Sequence, residues 1–171
     1  LPIYAAADTV VLLTDADMAF IACEASALNV ARTYRGITNG AAIESDGDLE
    51  FTYSGVNLKP LSPVYLNGNR HPSTNDWTLE WLRRTRVDGA LRDFVDAALG
   101  EASESYEIEI YDGSGYATVK RTITATSQTC AYTSAQQVAD FGSNQSTLYV
   151  KVYQLSATVG RGYPLTATIT R

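Results

Sequence analysis

Apolar and polar residues alternate along much of the chain, which is the pattern of half-buried β-strands. In residues 148–169 the alternation stops at a Gly160-Arg161-Gly162 triplet and then resumes. A nucleotide-binding fingerprint would need a third glycine and a helix after it. Here Tyr163-Pro164 and a threonine-rich run follow instead. The triplet is therefore predicted to turn the chain between two strands, with its glycines supplying positive φ.

The same alternation predicts further strands between residues 64 and 133. Apolar residues occupy every second position in WTLEWL (77–82) and in YEIEIY (106–111), whose glutamates then lie on the other face. The sequence DGSG (112–115) predicts a hairpin turn into YATVKRTITAT. VYLNG (64–68) and TCAYT (129–133) are shorter strands. Strands at this spacing are typical of an all-β sandwich.

A short helix is predicted in SAQQVADFG, between the last two groups of strands. Ser134 is the expected N-cap, because a serine side chain can accept a hydrogen bond from a free N–H of the first turn. Gly142 is the expected C′ residue, because glycine adopts the left-handed conformation that ends many helices.

The first part of the chain is less regular. TVVLLT (9–14) is a continuous apolar run that suits a strand buried on both faces, and Asp15-Ala16-Asp17 predicts a turn into MAFIAC. A helix over 16–28 is the alternative. NVARTYRGIT (29–38) is predicted as a strand.

A hairpin is predicted in AAIESDGDLEFTY. Asp46-Gly47 lies between two extended runs there, which is a strong turn signal. After the turn, Leu49, Phe51 and Tyr53 alternate with polar residues, so they are expected to form one buried face.

Residues 54–63 contain two prolines and little periodicity, so they are predicted to connect two parts of the chain. We expect a β-rich segment over 1–57, which completes a preceding domain, and a sandwich over 58–171. The net charge of −6 divides in the same way, because residues 1–57 hold two basic and eight acidic residues and the remainder is balanced.

The composition limits the classes of function. An acidic chain without a basic stripe is a poor nucleic-acid binder. No apolar run reaches the roughly 20 residues that a spanning helix needs, and the first residues lack the charged start of a signal peptide. Cys23, Cys130 and the single His71 do not form a zinc pattern, and no cofactor is expected. Free thiols are the simpler interpretation of the two cysteines, with a disulfide between them as the alternative.

Three groups of polar residues are candidates for chemistry. Four carboxylates crowd residues 87–101, but they lack the D-x-D-x-D-G spacing of a calcium loop and any activating partner. A solvated loop is the preferred interpretation. RRTR (83–86) is interpreted as the polar end of a strand beside that acidic loop. His71, in the turn-rich NGNRHPST, has no nucleophile motif to serve.

Tyrosine is overrepresented, with eleven tyrosines against four phenylalanines. Tyr111, Tyr149 and Tyr153 are expected to project from the outer face of one sheet, because their strand neighbours point inward. Exposed rings can stack on sugars or anchor a protein interface. They can equally cover neighbouring aliphatic stems. These three residues are the candidate partner or glycan surface.

The order W-x-L-x-W, Y-x-I-x-I-Y-D-G, and L-x-V-x-V followed by G-x-G-Y-P resembles a fibronectin type III domain over residues 58–171. The resemblance implies an antiparallel β-sandwich in which Trp81 is the core tryptophan of the second strand and Tyr106 the core tyrosine of the third. Leu148 stands where that family usually has its tyrosine-corner residue, so the resemblance implies that this corner is missing.

Longer phrases resemble the C-terminal part of the baseplate or tail-tip host-specificity proteins of phages and gene transfer agents, which carry a glycosidase-like barrel elsewhere. These phrases are TYRGITNGAAIE, EFTYSGVNLKP, NLKPLSPVYL, LEWLRRTRVDGALRDFVDAALGEASESYEIEI, YTSAQQVADFG and VKVYQLSATVGRGYP. The resemblance implies a non-enzymatic virion protein, made in the bacterial cytoplasm, that contacts other tail proteins, symmetry-related copies or the host surface. A carbohydrate-binding module is the alternative.

Overall fold

The computed structural model describes residues 21, 23–36, 40, 42, 47–90 and 93–171. The chain divides into two compact units, Leu1–Gly55 and Val56–Arg171, which are described separately. The predicted strand at 9–14, the turn after it and Asp46 lie outside the described residues.

The first unit contains a two-stranded antiparallel sheet. It consists of a 3-10 helix, Ala25–Ala27, followed by β1, Ala31–Tyr34, and β2, Leu49–Thr52. The strand predicted in NVARTYRGIT is confirmed, and β1 pairs with β2 so that Arg32 lies opposite Phe51.

The buried face predicted for β2 is wrong. Leu49 is 68% exposed and Phe51 51%, and Tyr53 is half-buried. The edge of the Phe51 ring contacts Tyr34 across the sheet. Alternation predicts that residues share a face, but burying that face takes a second layer, and a two-stranded sheet does not provide one by itself.

The second unit is an antiparallel β-sandwich, as predicted. Its elements in chain order are a 3-10 helix Val56–Leu58, β3 Val64–Arg70, β4 Trp77–Leu82, β5 Tyr106–Tyr111, β6 Val119–Ala125, β7 Thr129–Tyr132, α1 Ser134–Phe141, β8 Thr147–Ser156, β9 Gly160–Arg161 and β10 Leu165–Thr170. One sheet has the order β3-β4-β7 and the other β10-β8-β5-β6, with the short β9 paired to the end of β8. All of the strand pairs are antiparallel.

The core lies between the two sheets and uses the residues that alternation selected. The strands β4, β5 and β8 each contribute three apolar side chains that are at most 2% exposed: Trp77, Leu79, Trp81, Tyr106, Ile108, Ile110, Leu148, Val150 and Val152. Trp81 and Tyr106 meet edge-to-face with ring centroids 5.1 Å apart. Burying each large apolar side chain contributes roughly 1.5–3 kcal/mol.

The glycine triplet lies between β8 and β10, as predicted, but the turn itself is at residues 157–159 and Gly160–Arg161 form β9. The prediction of positive φ at both glycines is correct for Gly160 only. Gly160 has φ +72°, which favours glycine. A glycine is required at position 162 because a larger residue would clash: its Cβ would lie 2.6 Å from the carbonyl oxygen of Pro60. The next residue, Tyr163, donates its N–H to the same oxygen at 3.0 Å.

Helix α1 starts with a capping box whose N-cap is Thr133, one residue before the predicted Ser134. The Thr133 hydroxyl accepts from the N–H of Gln136, and the Gln136 side chain accepts from the N–H of Thr133. Thr133 and Ser134 are each followed by a glutamine at the third position. The amide of Gln137 is bonded to backbone groups outside the first turn, so only Gln136 closes a capping box. Gly142 ends the helix with φ +78°, as predicted.

Candidate partner surface

The three candidate tyrosines lie on the outer face of the four-stranded sheet. Tyr111 of β5 is directly opposite Tyr149 of β8, and Tyr153 is opposite Glu107. Tyr149 and Tyr153 are half-buried, but Tyr111 is only 6% exposed. The structure therefore brings the three residues to one face, and the expected exposure of Tyr111 is wrong.

Tyr111 is covered by a residue from the β5–β6 turn. The ring of Tyr116 lies 5.3 Å from that of Tyr111 and 6.0 Å from that of Tyr149, at interplanar angles of 66° and 85°. The Nζ of Lys151 lies 4.7 Å from the Tyr111 ring centroid and 5.3 Å from that of Tyr116. Aromatic edges and a cation thus fill the space that solvent would occupy.

Two glutamates and an arginine extend this cluster toward Tyr153. The Tyr111 hydroxyl donates to Glu109 at 2.5 Å, and the Arg161 guanidinium lies 2.9 Å from the other oxygen of Glu109. Arg161 also pairs with Glu107, and its guanidinium lies 4.8 Å from the Tyr153 ring centroid. We call Glu107, Glu109, Tyr111, Tyr116, Tyr149, Lys151, Tyr153 and Arg161 the tyrosine face.

Burial and hydrogen bonds set the protonation states on the tyrosine face. Burial alone would raise the pKa of Glu109, but the hydrogen bond from Tyr111 and the Arg161 charge outweigh it, so the pKa is lowered. Burial, together with the bond to Glu109, raises the pKa of Tyr111. Glu109 is thus ionised and Tyr111 protonated at neutral pH, and each stabilises the state of the other.

The tyrosine face combines packed aromatic rings with paired charges. Its rings meet edge-to-face, whereas sugar stacking uses ring faces that are open to solvent. Tyrosine and arginine are enriched among the residues that dominate protein interfaces. Side chains that are already held in place lose little conformational freedom on binding.

A second exposed feature is the connection between β4 and β5, which contains the RRTR segment. Arg83 donates to the carbonyl oxygens of Ala97 and Ala98 at 2.6 and 3.1 Å and pairs with Asp96 at 2.5 Å. Arg86 pairs with Glu101 at 3.1 Å. The prediction that these arginines lie beside the acidic loop is confirmed, and the loop leaves the Phe94 side chain fully exposed.

The other candidate residues have simple structural roles. The Nδ1 of His71 accepts backbone N–H groups from Ser73 and Thr74 at 3.3 and 3.1 Å in an exposed turn. Cys23 and Cys130 are half-buried free thiols, and burial raises the pKa of Cys130 to about 12. Among the described residues, no cluster of three potential metal ligands occurs, and no helix is long and apolar enough to cross a bilayer.

Sequence reasoning missed the residues that close the tyrosine face. Lys151 is predictable in hindsight, since alternation places it on the same face as Tyr149 and Tyr153. Tyr116 lies in the connection between β5 and β6 and Arg161 in the two-residue strand β9, and both are too short for a period to indicate the direction of a side chain. Which rings and charges these two side chains contact depends on how the strands pair in the folded protein.

No protein-family profile matches the chain. No curated protein sequence matches it. Among solved structures, the chain is similar to the FN5 domain of Drosophila Lar, with 12% sequence identity and a TM-score of 0.38, over 65% of this chain and 95% of that one. The second unit has a fibronectin type III-like fold, because its three-stranded sheet β3-β4-β7 packs on the sheet β10-β8-β5-β6.

Proposed function

We propose that the chain is a non-enzymatic structural module of a phage-like tail tip or baseplate, from the C-terminal part of a host-specificity protein. In this proposal it is made in the bacterial cytoplasm, resides in the virion and binds other tail proteins through the tyrosine face. The long sequence phrases described above support the tail-tip setting. The module needs no cofactor for this role.

One observation favours assembly with other tail proteins over sugar binding. The rings of Tyr111, Tyr116 and Tyr149 pack edge-to-face, and the Nζ of Lys151 lies over those of Tyr111 and Tyr116, so the rings and the charge hold one another in place. A protein partner can cover such a patch and pair with its rim, where Arg161 is half-exposed. A flat polysaccharide chain would find few open ring faces.

The test introduces Tyr153→Ala into the gene for the complete tail protein. We expect a loss of about tenfold or more in particles with complete tail tips, counted by electron microscopy, because tyrosines at interface centres contribute much of the binding free energy. Tyr65→Ala is the matched control, since Tyr65 is 79% exposed on β3 of the other sheet. Equal particle counts for wild type and Tyr153→Ala would refute the role of this surface.

A carbohydrate-binding module is the alternative function, and the half-exposed rings of Tyr149 and Tyr153 are the observation that favours it. A glycan array probed with the purified 171-residue protein distinguishes the two functions. We expect no binding. A reproducible hit that Tyr153→Ala abolishes, and that Tyr65→Ala retains, would assign the module to host adhesion instead.

A further inference from the structure

A groove of about 530 Å³ opens along one side of the sandwich, between the edge strands β6 and β7. Ile123, Ala125 and Cys130 line it and are half-buried against the core. At the opposite side of the sandwich the two sheets come close, since a Cβ on Gly68 of β3 would lie 2.6 Å from Ile169 of β10. The sandwich is thus closed on one side and open on the other.

The ladder geometry shows which backbone groups face the open side. The N–H of Leu155 bonds to the carbonyl of Ser105 at 2.8 Å, so odd-numbered residues of β5 bond to β8 and even-numbered ones to β6. In the register of β5 with β6, Arg121, Ile123 and Ala125 therefore bond to β5. The N–H and C=O groups of Thr122 and Thr124 point away from the sheet, where no described strand pairs with them.

The features that usually prevent strand pairing at an edge are confined to the first residues of β6, where Lys120, the inward-pointing Arg121 and a β-bulge between residues 119 and 121 lie. Residues 122–127 contain no charged residue, proline or glycine. The charge that does point inward, Arg121, is held by Asp140 of α1 through two contacts of 2.7 and 2.8 Å at the neighbouring end of β6. A free, uncharged edge beside a half-exposed apolar groove is a site for an added strand.

We propose that this edge binds a second copy of the same chain, through antiparallel pairing of β6 with β6 about a two-fold axis at Ile123. The sequence Thr-Ile-Thr reads the same in both directions, so each Thr122 lies opposite Thr124 of the partner subunit and both exchange hydrogen bonds. The two isoleucines form a non-hydrogen-bonded pair, in which side chains lie closest, and extend the floor of both grooves.

The charges and volumes of β6 agree with this register. Arg121 lies opposite the small Ala125 of the partner subunit, which leaves room for the bonds between Arg121 and Asp140. Lys120 lies in the bulge of β6, outside the paired residues 121–125, so no like charges face each other. A two-fold axis of this kind produces the same contacts on both copies.

This inference deepens the proposed assembly function and rests on it for its biological setting. The dimer uses the open edge of the sandwich, whereas the proposed tail contact uses the tyrosine face. The two proposals therefore fail separately: a monomeric protein would refute the dimer, and unchanged particle counts for Tyr153→Ala would refute the tail contact.

The test measures the mass of the complete 171-residue protein by sedimentation velocity over a range of concentrations. We expect wild type to reach twice the 18.5 kDa chain mass and Thr124→Pro to weaken dimerisation at least about tenfold. Proline removes an N–H that the ladder with β5 does not use, so the fold should be retained. Thr124→Ala is the control and should dimerise like wild type.

A second readout locates the interface. In a Cys23→Ser background, alkylation of Cys130 should slow as the protein concentration passes through the dimerisation range, because the partner covers the groove. Thermal unfolding checks that Thr124→Pro is folded, and Thr122→Pro replaces it if it is not. A wild type that stays monomeric, or proline variants that dimerise as tightly as wild type, would overturn the inference.

Discussion

Gly162 shows how one residue in a connection between strands depends on a segment that is distant in sequence. The carbonyl oxygen of Pro60 occupies the space where a side chain at position 162 would begin. The N–H of Gly162 bonds to Gln154 of β8, and the N–H of Tyr163 bonds to Pro60. The glycine therefore lets the chain before β3 pass closely against the connection between β8 and β10.

Replacing Gly162 by alanine is expected to destabilise the protein by about 1–3 kcal/mol, because overpacking at a rigid backbone contact forces one chain segment to move. Chemical denaturation of the purified protein measures this loss. Gly113→Ala is the matched control, since a Cβ there meets nothing within 4 Å and the residue is also in a connection between strands. Equal unfolding free energies for the two variants would contradict the close-approach explanation.

Only the residues of the candidate site that lie on strands were predictable, because alternation assigns a face to strand residues alone. Tyr111, Tyr149 and Tyr153 do share one face, as the period of two requires. The burial of Tyr111 was not predictable, because it depends on Tyr116, whose φ of +49° places its ring over the sheet. A turn residue has no periodic partner from which that position could be inferred.

At the scale of elements, the connection from β7 through α1 to β8 replaces the missing tyrosine corner. Leu148 is 1% exposed and packs in the core. Gln137 of α1 is fully buried instead, and its amide nitrogen donates to the carbonyls of Asn75 and Tyr132 at 2.8 and 3.3 Å. Its amide oxygen accepts the N–H of Gln145 at 3.0 Å. One side chain thus connects three backbone segments.

We expect Gln137→Leu to lower the free energy of unfolding by roughly 2–4 kcal/mol, because it leaves three buried backbone groups without partners at nearly unchanged volume. Chemical denaturation monitored by tryptophan fluorescence measures the change. Val138→Ala on the same helix is the control. Val138 is 48% exposed, so that variant should stay within about 0.5 kcal/mol of wild type. A similarly small effect of Gln137→Leu would show that the connection does not depend on this amide.

At the scale of the whole sandwich, one cluster links the two sheets on the open side. Arg121 of β6 pairs with Asp140 of α1, and the Tyr132 hydroxyl of β7 donates to the same carboxylate at 2.8 Å. Burial alone would raise the pKa of Asp140, but the bonds from Arg121 and Tyr132 outweigh it and lower the pKa below 3.8. Burial likewise raises the pKa of Tyr132, so its proton stays in place for the bond.

This lowered pKa predicts how stability depends on pH. A carboxylate with a depressed folded-state pKa stabilises the fold above its unfolded pKa, and the contribution disappears as the pH falls through the folded pKa. Asp140→Asn should therefore cost about 1–2 kcal/mol at pH 7, and the difference from wild type should close below pH 3.8. Urea denaturation of both proteins between pH 7 and strongly acidic pH measures it. A difference that stays constant with pH would rule out this role of the ion pair.

The sequence by itself determined the class of the second unit and the residues of its core. The alternation in β4, β5 and β8 selected the inward faces, and the turn signal at 112–115 separated β5 from β6 correctly. Local rules suffice there, because the period of two depends only on backbone geometry and the hydrophobic effect. The same rules misplaced the helix cap by one residue, since Thr133 and Ser134 both have a glutamine at the third position and the tertiary contacts of Gln137 decide between them.

Tertiary structure alone decided which faces are buried and which edges are open. The alternating Leu49 and Phe51 are exposed in a two-stranded sheet, whereas Tyr111 on an outer face is covered by a turn and a lysine. The free edge of β6 and the groove beside it depend on the order of strands within each sheet. The burial of a side chain and the pairing of a strand both depend on residues that are distant in the chain, so a local sequence pattern cannot predict them.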